Sequence, residues 1–230
     1  MKRRYLVLDG RSFSSSAQVR REEFIKLLEG SLNEFLKKQK RLGPKIMDAL
    51  KRVQGIEATA STPPGLSLRW GPKPEEAVNV SSILDALSNE ALKQKTSFVI
   101  ALDLAQEFRK IMRFDLTSVL AHAYDYCRGL QFVVTGSEIG MLQNFLKVED
   151  DKAPLYGRAT VDIELSGLDE EKSIQYLMEG FAEIKLKVPA EQLKSVHARF
   201  DGVIGWLSYC GFKSAEANKI DGRIIEETAK

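Results

Sequence analysis

The sequence predicts an α/β fold: a parallel β-sheet alternating with helices, followed by a smaller, wholly helical region. Short, continuously apolar and partly β-branched runs end at polar residues, as strands buried on both faces do. Between these runs lie segments with helical periodicity, and alternation of this kind indicates a parallel sheet with right-handed crossovers. From about residue 166 only helical patterns remain. We therefore expect an α/β core over residues 1–165 and a helical domain over residues 166–230.

The first predicted strand covers residues 5–9, and the helix after it has one apolar face. That face consists of Phe24, Leu27, Leu28, Leu32, Phe35 and Leu36. Residues 54–74 are rich in proline and glycine and predict a loop or a short β excursion. A second amphipathic helix leads into a strand over residues 98–102, which ends at Asp103. Its inward positions are Val80, Ile83, Leu84, Leu87 and Ala91.

The remaining core elements follow the same alternation. Asp115 has the position of an N-cap for a helix that stops before Gly129, and the next strand runs into Thr135, Gly136 and Ser137. The segment ATVDIEL, residues 159–165, predicts a fourth strand. In the helical region, Asp169 is expected to cap one helix and Pro189 to lie in the first turn of the next.

Composition excludes several classes of protein. The 230 residues are 43% hydrophobic and 29% charged, and no apolar run approaches the roughly 18 residues that a membrane helix needs. We expect a soluble chain that does not bind membranes. Cys127 and Cys210 are far apart and form no CxxC, so neither a disulfide framework nor a zinc knuckle is predicted. A reducing cytoplasm fits this cysteine usage best.

A basic stretch occurs at residues 37–52, although the net charge of the chain is only +2. A solvated helix end and loop is the favoured interpretation, because charge runs usually only face water. The alternative is a surface that contacts nucleic-acid phosphates, but no aromatic residues are interleaved there to stack bases.

The order of motifs resembles the archaeal ATPase family, a branch of the AAA-like, signal-transducing P-loop NTPases. The segments that carry the resemblance are YLVLDGRSF, FVIALDLAQEF, FVVTGSEIGML, PLYGRATVDIEL and FDGVIGWL, from residue 5 to about 212. The resemblance implies a P-loop-NTPase-like core with a C-terminal helical lid over the base, and ATP and magnesium as ligands.

The family pattern also implies roles for particular residues. Asp103 would be the Walker B carboxylate that holds magnesium through waters, and Leu104 stands where the catalytic glutamate is expected. Ser137, or Thr135 beside it, would be the polar sensor near the terminal phosphate. Arg158 would sense that phosphate or contact a neighbour's.

One departure from the family is severe. The phosphate-binding loop G-x-x-x-x-G-K-[ST] is missing, since no Gly-Lys pair occurs in the sequence. In the family this Walker A segment precedes the residues that correspond to residue 5, and its strand is central, between the Thr-Gly-Ser strand and the strand at 159–165. Either those two strands pair directly, or another chain fills the slot, or the sequence is a fragment.

Each candidate residue also has a purely structural interpretation. Asp103 could cap the following helix, Ser137 and Thr135 could form a turn, and Arg158 could form a salt bridge with the acidic cluster at 149–151. His122 and His197 have no partner at ligand spacing in the sequence, so both are interpreted as structural.

Two functions remain open. The first is an ATP-binding or ATPase domain, partial or degenerate and not hydrolytic alone because the water-orienting glutamate and the phosphate cradle are missing. The second is a non-catalytic protein-interaction module that keeps the fold and binds a partner, or a second copy, through an open sheet edge or through the basic stretch.

Overall fold

The structure is a computed structural model that describes residues 4–39, 41–59, 65–68, 78–136 and 139–229. The chain divides into two compact units, Met1–Ala159 and Thr160–Lys230. Each unit has its own hydrophobic core and is described here by itself.

A three-stranded parallel sheet forms the centre of the first unit. β1 (Tyr5–Asp9) and β5 (Leu130–Val134) flank the middle strand β4 (Phe98–Asp103). In the register Asp9 lies beside Asp103, and Leu102 lies beside Val134. The predicted parallel α/β architecture is thus confirmed, and all three strands end at the same edge of the sheet.

Helices α1 to α5 belong to the same unit. They span Arg21–Lys38, Gly43–Leu50, Val80–Lys93, Leu116–Tyr126 and Ile139–Leu146. The apolar faces predicted for α1 and α3 are buried as expected, apart from Leu27, which is only partly buried. Asp115 caps α4 as predicted, because its carboxylate accepts the N–H groups of Thr117 and Ser118.

The short β excursion predicted within residues 54–74 is an antiparallel pair, β2 (Ile56–Thr59) with β3 (Gly65–Leu68). The amide side chain of Asn33 on α1 donates to the carbonyl oxygen of Leu66 at 2.8 Å and accepts its N–H at 2.7 Å. These two hydrogen bonds hold the hairpin of β2 and β3 against α1.

The prediction of a strand at residues 159–165 is wrong. These residues are irregular, and among the described residues none pairs with them. Apolar and polar residues alternate here as they do in a strand, but the apolar side chains of Val161, Ile163 and Leu165 are 89%, 80% and 91% exposed, so they do not pack against a neighbouring element. A strand requires a partner for its backbone groups, and none of the described strands pairs with this segment.

The second unit is helical in its regular structure. It contains α6 (Glu170–Glu183), α7 (Ala190–Phe200), α8 (Ile204–Glu216) and α9 (Gly222–Thr228). Asp169 caps α6 as predicted, and Pro189 stands at the N-cap of α7, one residue before its first turn. The core of this unit includes Leu177, Phe181, Leu193, Val196 and Leu207.

Within the described part of the chain, none of the helices is both long enough and apolar enough to cross a bilayer.

Candidate functional site at the carboxyl edge of the sheet

Polar side chains meet where the three parallel strands end. Asp9 ends β1, Asp103 ends β4, and Thr135 directly follows β5. In open α/β sheets ligands bind outside this carboxyl edge. The fold therefore brings together two of the residues selected from the sequence, Asp103 and Thr135, and adds a third, Asp9.

Asp103 and Thr135 are joined directly. The Thr135 hydroxyl Oγ1 donates a hydrogen bond of 2.6 Å to Asp103 Oδ1. The backbone of Thr135 is fixed on both sides, because its N–H donates to the carbonyl oxygen of Leu102 at 2.9 Å and its own carbonyl oxygen accepts the N–H of Ala105 at 2.8 Å. Both side chains remain accessible to solvent, so this is a bonded but open pair.

Arg11 adds a positive charge to the two carboxylates. Its guanidinium contacts both oxygens of Asp9, at 2.7 to 3.0 Å, and lies 3.9 Å from Asp103 Oδ2. The hydrogen bonds from Arg11 lower the pKa of Asp9, and the same bonds raise the pKa of Arg11. The site thus carries its own cation between two acidic side chains.

The sequence interpretation did not select Asp9 and Arg11 as site residues, although a signal existed. β1 and β4 both end in Leu-Asp, at residues 8–9 and 102–103, and parallel neighbours with the same ending place two carboxylates side by side. Arg11 lies two residues after Asp9, a spacing at which side chains pair locally.

Gly10 allows the strand ends to approach this closely. A Cβ atom at this position would lie 2.5 Å from the carbonyl oxygen of Leu104 and 2.9 Å from that of Asp103. Both neighbours are backbone atoms and cannot move aside cheaply. The position therefore excludes every side chain larger than hydrogen unless the edge rearranges.

Leu104 occupies the position at which the resemblance expects a glutamate. Its backbone is left-handed, with φ 49° and ψ 52°, and it precedes a 3-10 helix at Ala105–Lys110 that receives no side-chain cap. Asp103 therefore does not cap the following helix, and that structural interpretation is wrong. A hydrocarbon side chain at position 104 cannot orient a water molecule.

Arg158 is held away from this edge. Its guanidinium pairs with Asp125, with Nη2 at 2.5 Å from Oδ2, and also donates to the carbonyl oxygen of Pro154. Asp125 lies in the last turn of α4, just before β5 begins, so the pair lies towards the opposite end of the strands from Asp103. The structural interpretation had the right kind of contact and the wrong partner, because the acidic cluster at 149–151 is not involved.

Ser137 lies outside the described residues, so Thr135 is the described member of the pair of sensor candidates. The interpretation of His197 as structural fits its hydrogen bond with Ser173 Oγ at 2.9 Å. The expectation that His122 has no ligand-forming neighbour is wrong, because Asp85 and Cys127 both lie beside it.

The basic stretch at 37–52 lies at the end of α1 and along α2. Lys38 pairs with Glu34 at 2.5 Å, and Lys51 pairs with Asp48 at 3.6 Å. Each of these two lysines is therefore partly neutralised by an acidic residue about one turn earlier.

The donor set at the carboxyl edge fits a magnesium ion better than it fits a triphosphate. Asp9 and Asp103 offer carboxylate oxygens at adjacent strand ends, which are ligands that Mg²⁺ prefers, with waters completing its shell. Among the described residues no glycine-rich strand-to-helix turn supplies the backbone N–H groups that cradle phosphates.

Comparison with known proteins supports this architecture. No family model matches the sequence, and no curated protein matches it. Among solved structures, the chain is similar to a Walker-type ATPase of the archaeon Pyrococcus abyssi, with a TM-score of 0.72 and 26% sequence identity over 98% of this chain. The chain spans 59% of the length of that protein. It therefore has a P-loop ATPase-like fold and a relationship to Walker-type ATPases.

Proposed function

We propose that the chain is a nucleotide-binding domain of the AAA-like type, which binds ATP with magnesium at the carboxyl edge of its sheet and does not hydrolyse ATP alone. The observation that carries this proposal is the hydrogen bond from Thr135 to Asp103 between neighbouring parallel strand ends. In a fold similar to that of a Walker-type ATPase, these are positions at which a magnesium carboxylate and a polar sensor are expected.

The residues of the chain would divide the work at this site. Asp103, with Asp9 beside it, would hold Mg²⁺ through its waters, and Thr135 would keep one oxygen of Asp103 in a fixed direction. When bound, magnesium neutralises phosphate oxygens. Arg11 would leave its position between the carboxylates, since the metal and the guanidinium compete for the same oxygens.

Two features argue against hydrolysis by this chain alone. Leu104 has no group that could orient the attacking water, and the sequence has no Gly-Lys pair to form a phosphate loop. Phosphoryl transfer depends on positioning and on electrostatic stabilisation of the phosphates. The phosphate contacts would therefore be supplied by another element or by another chain.

The test is isothermal titration of the chain with ATP and magnesium, with Asp103→Ala and Asp151→Ala beside the unaltered protein. Asp151 is an exposed aspartate in a turn and serves as the matched control. Saturable binding that is lost in Asp103→Ala and kept in Asp151→Ala supports the proposal. The absence of both binding heat and thermal stabilisation at millimolar ATP would overturn it.

A second candidate is a protein-interaction module, and the open edge of β5 favours it. The carbonyl oxygen of Gly129 and the N–H of Thr135 form hydrogen bonds with β4. Because alternate residues of a strand direct their backbone groups to opposite sides, those of Phe132 and Val134 point away from β4, where none of the described strands pairs with them. Val133 on this strand is 49% exposed. Unpaired edges of this kind accept a further strand from another chain.

This candidate predicts self-association through the edge of β5. Light scattering over a range of concentrations should then show an oligomer that Val133→Lys dissociates, because a charge on an edge strand opposes pairing. Met112→Lys, at a similarly exposed position away from the edge, is the control. A monomer at all concentrations would exclude self-association.

A further inference from the structure

Three side chains of different chemistry converge on the surface of the first unit, away from the carboxyl edge of the sheet. His122 Nε2 lies 2.9 Å from Asp85 Oδ1, and Cys127 Sγ lies 3.3 Å from the same oxygen. The three ligand atoms all lie within 4.8 Å of one another. Among the described residues, these hydrogen bonds do not involve Asp9, Arg11, Asp103 or Thr135 at the carboxyl edge.

The local fold places each of the three side chains. Asp85 is on α3 and His122 is on the facing side of α4, which packs against α3. Cys127 is the C-cap of α4, where the backbone leaves helical geometry at ψ 64° and its N–H still donates to the carbonyl oxygen of Ala123. The ring of Tyr126 packs beside His122, with ring centroids 5.1 Å apart.

The geometry is close to that of a metal site. With the usual zinc bond lengths to oxygen, nitrogen and sulfur, the ligand atoms of a tetrahedral site are about 3.3 to 3.8 Å apart. The two separations that involve Asp85 Oδ1 are 2.9 and 3.3 Å, so these pairs would need to open by only a few tenths of an ångström to admit the ion, and the ligand atoms of His122 and Cys127 lie within 4.8 Å of each other. This is within the range of small side-chain rotations.

The ligand chemistry selects among metals. One thiol sulfur, one imidazole nitrogen and one carboxylate oxygen suit Zn²⁺, whereas Mg²⁺ and Ca²⁺ take oxygen ligands and leave sulfur aside. Cys127 is buried, but the side chains of Asp85 and His122 are 43% and 33% exposed. A bound ion would therefore have three protein ligands and one position that faces solvent.

We propose that Asp85, His122 and Cys127 form a zinc site with an open fourth position. Binding replaces the proton of the Cys127 thiol, which is released to solvent, and the ion then bridges the carboxylate, the imidazole and the thiolate. Cys127 lies three residues before β5 begins, whereas Asp103 and Thr135 lie where the strands end. The zinc site is therefore independent of nucleotide binding.

The test is titration of the full chain with Co²⁺, followed by displacement with Zn²⁺. A thiolate bound to Co²⁺ gives a near-ultraviolet charge-transfer absorption that a site without sulfur lacks. In the unaltered protein we expect this absorption to rise until one equivalent of Co²⁺ per chain has been added. The absorption should be lost in Cys127→Ser and kept in Cys210→Ser. Cys210 is also buried, and among the described residues it belongs to no group of side chains that could hold a metal ion, so it is the matched control.

Asp85→Asn and His122→Ala provide a second measurement that does not depend on the thiol. Zinc should raise the melting temperature of the unaltered protein, and its affinity should fall at least about tenfold in either variant. If Cys127→Ser does not fold, these two variants still decide the matter. Cobalt absorption that survives in Cys127→Ser, or zinc affinity unchanged in both Asp85→Asn and His122→Ala, would overturn the proposal.

Discussion

The Thr135 hydroxyl and the Asp103 carboxylate join the ends of two neighbouring parallel strands by a hydrogen bond of 2.6 Å. One oxygen of Asp103 is thereby occupied, while the other, Oδ2, is directed towards Arg11 at 3.9 Å. A single carboxylate is thus oriented by a neutral donor on one side and a cation on the other. Substitution of either Thr135 or Arg11 should therefore alter the interactions of the Asp103 carboxylate.

Replacement of the hydroxyl is the first prediction. Thr135→Val keeps the shape of the side chain but removes the donor, so we expect a loss of about 0.5 to 1 kcal/mol in the free energy of unfolding. The effect is smaller than the roughly 1.5 to 3 kcal/mol typical of a hydrogen bond to a charged group, because water can replace the donor at this exposed position. Urea denaturation measures it, with the exposed Thr160→Val as the control. Equal stability of the two variants would mean that the bond contributes nothing.

Removal of the cation is the second prediction. Arg11→Gln should bind Mg²⁺ severalfold more tightly than the unaltered chain, because Asp9 and Asp103 lose the guanidinium that competes with the metal. Arg20→Gln is the matched control, since Arg20 also pairs with a carboxylate, Glu23, at 3.0 Å. Titration with Mg²⁺ alone measures the change. Unchanged or weaker metal binding in Arg11→Gln would show that the two cations do not compete.

Local chemistry and apolar runs allowed most of the first unit to be predicted from the sequence. The strands at 5–9, 98–103 and 130–134 are recognisable because each is short and apolar, and the caps Asp115 and Asp169 because each precedes a helical pattern. Contacts between residues close in the sequence, such as that of Asp9 with Arg11, could also have been predicted. These features depend only on adjacent residues.

Features that depend on what lies opposite in space could not be predicted. Residues 159–165 have the alternation of a strand, but alternation does not reveal whether a partner strand is available. The cluster around His122 depends on the packing of α3 against α4, which joins it to Asp85, 37 residues earlier. The salt bridge of Arg158 with Asp125, 33 residues away, was missed for the same reason.

The close approach of the strand ends gives the third prediction. Gly10→Ala should lower the free energy of unfolding by about 1 to 3 kcal/mol, because the new Cβ meets the carbonyl oxygens of Leu104 and Asp103. Gly30→Ala is the control, since nothing lies within 4 Å of a Cβ there and the residue is on α1. That variant should be stabilised by about 0.5 to 1 kcal/mol. Chemical denaturation of both variants distinguishes a steric effect from a general effect of replacing glycine.

The dependence of stability on pH gives the fourth prediction. Burial alone would raise the pKa of Asp115, but the hydrogen bonds from Ser118 and Thr117 outweigh it and hold this pKa below its usual value. The cap therefore stabilises the fold above the unfolded pKa of about 3.9, and this contribution is lost as pH falls through the lower pKa of the folded state.

Asp115→Asn should make the fold less sensitive to acid in that window while keeping a capping side chain at neutral pH. Unfolding measured between neutral and strongly acidic pH tests this, with Asp151→Asn as the control. If Asp115→Asn and the unaltered chain lose stability in parallel as pH falls, the ionised cap is not a source of the acid sensitivity.

Introducing an acidic side chain beside Asp103 gives the last prediction. Leu104→Glu places a carboxylate where a water-orienting group is expected, yet we expect no release of phosphate from ATP, because the chain still lacks a phosphate cradle to position the reacting groups. Leu104→Gly controls for a change of loop conformation, since glycine adopts the left-handed backbone at this position without strain. Magnesium-dependent phosphate release by Leu104→Glu that disappears when Asp103→Ala is added would show that position 104 alone limits hydrolysis. The absence of activity in both variants places the limitation in the phosphate contacts that another element or chain must provide.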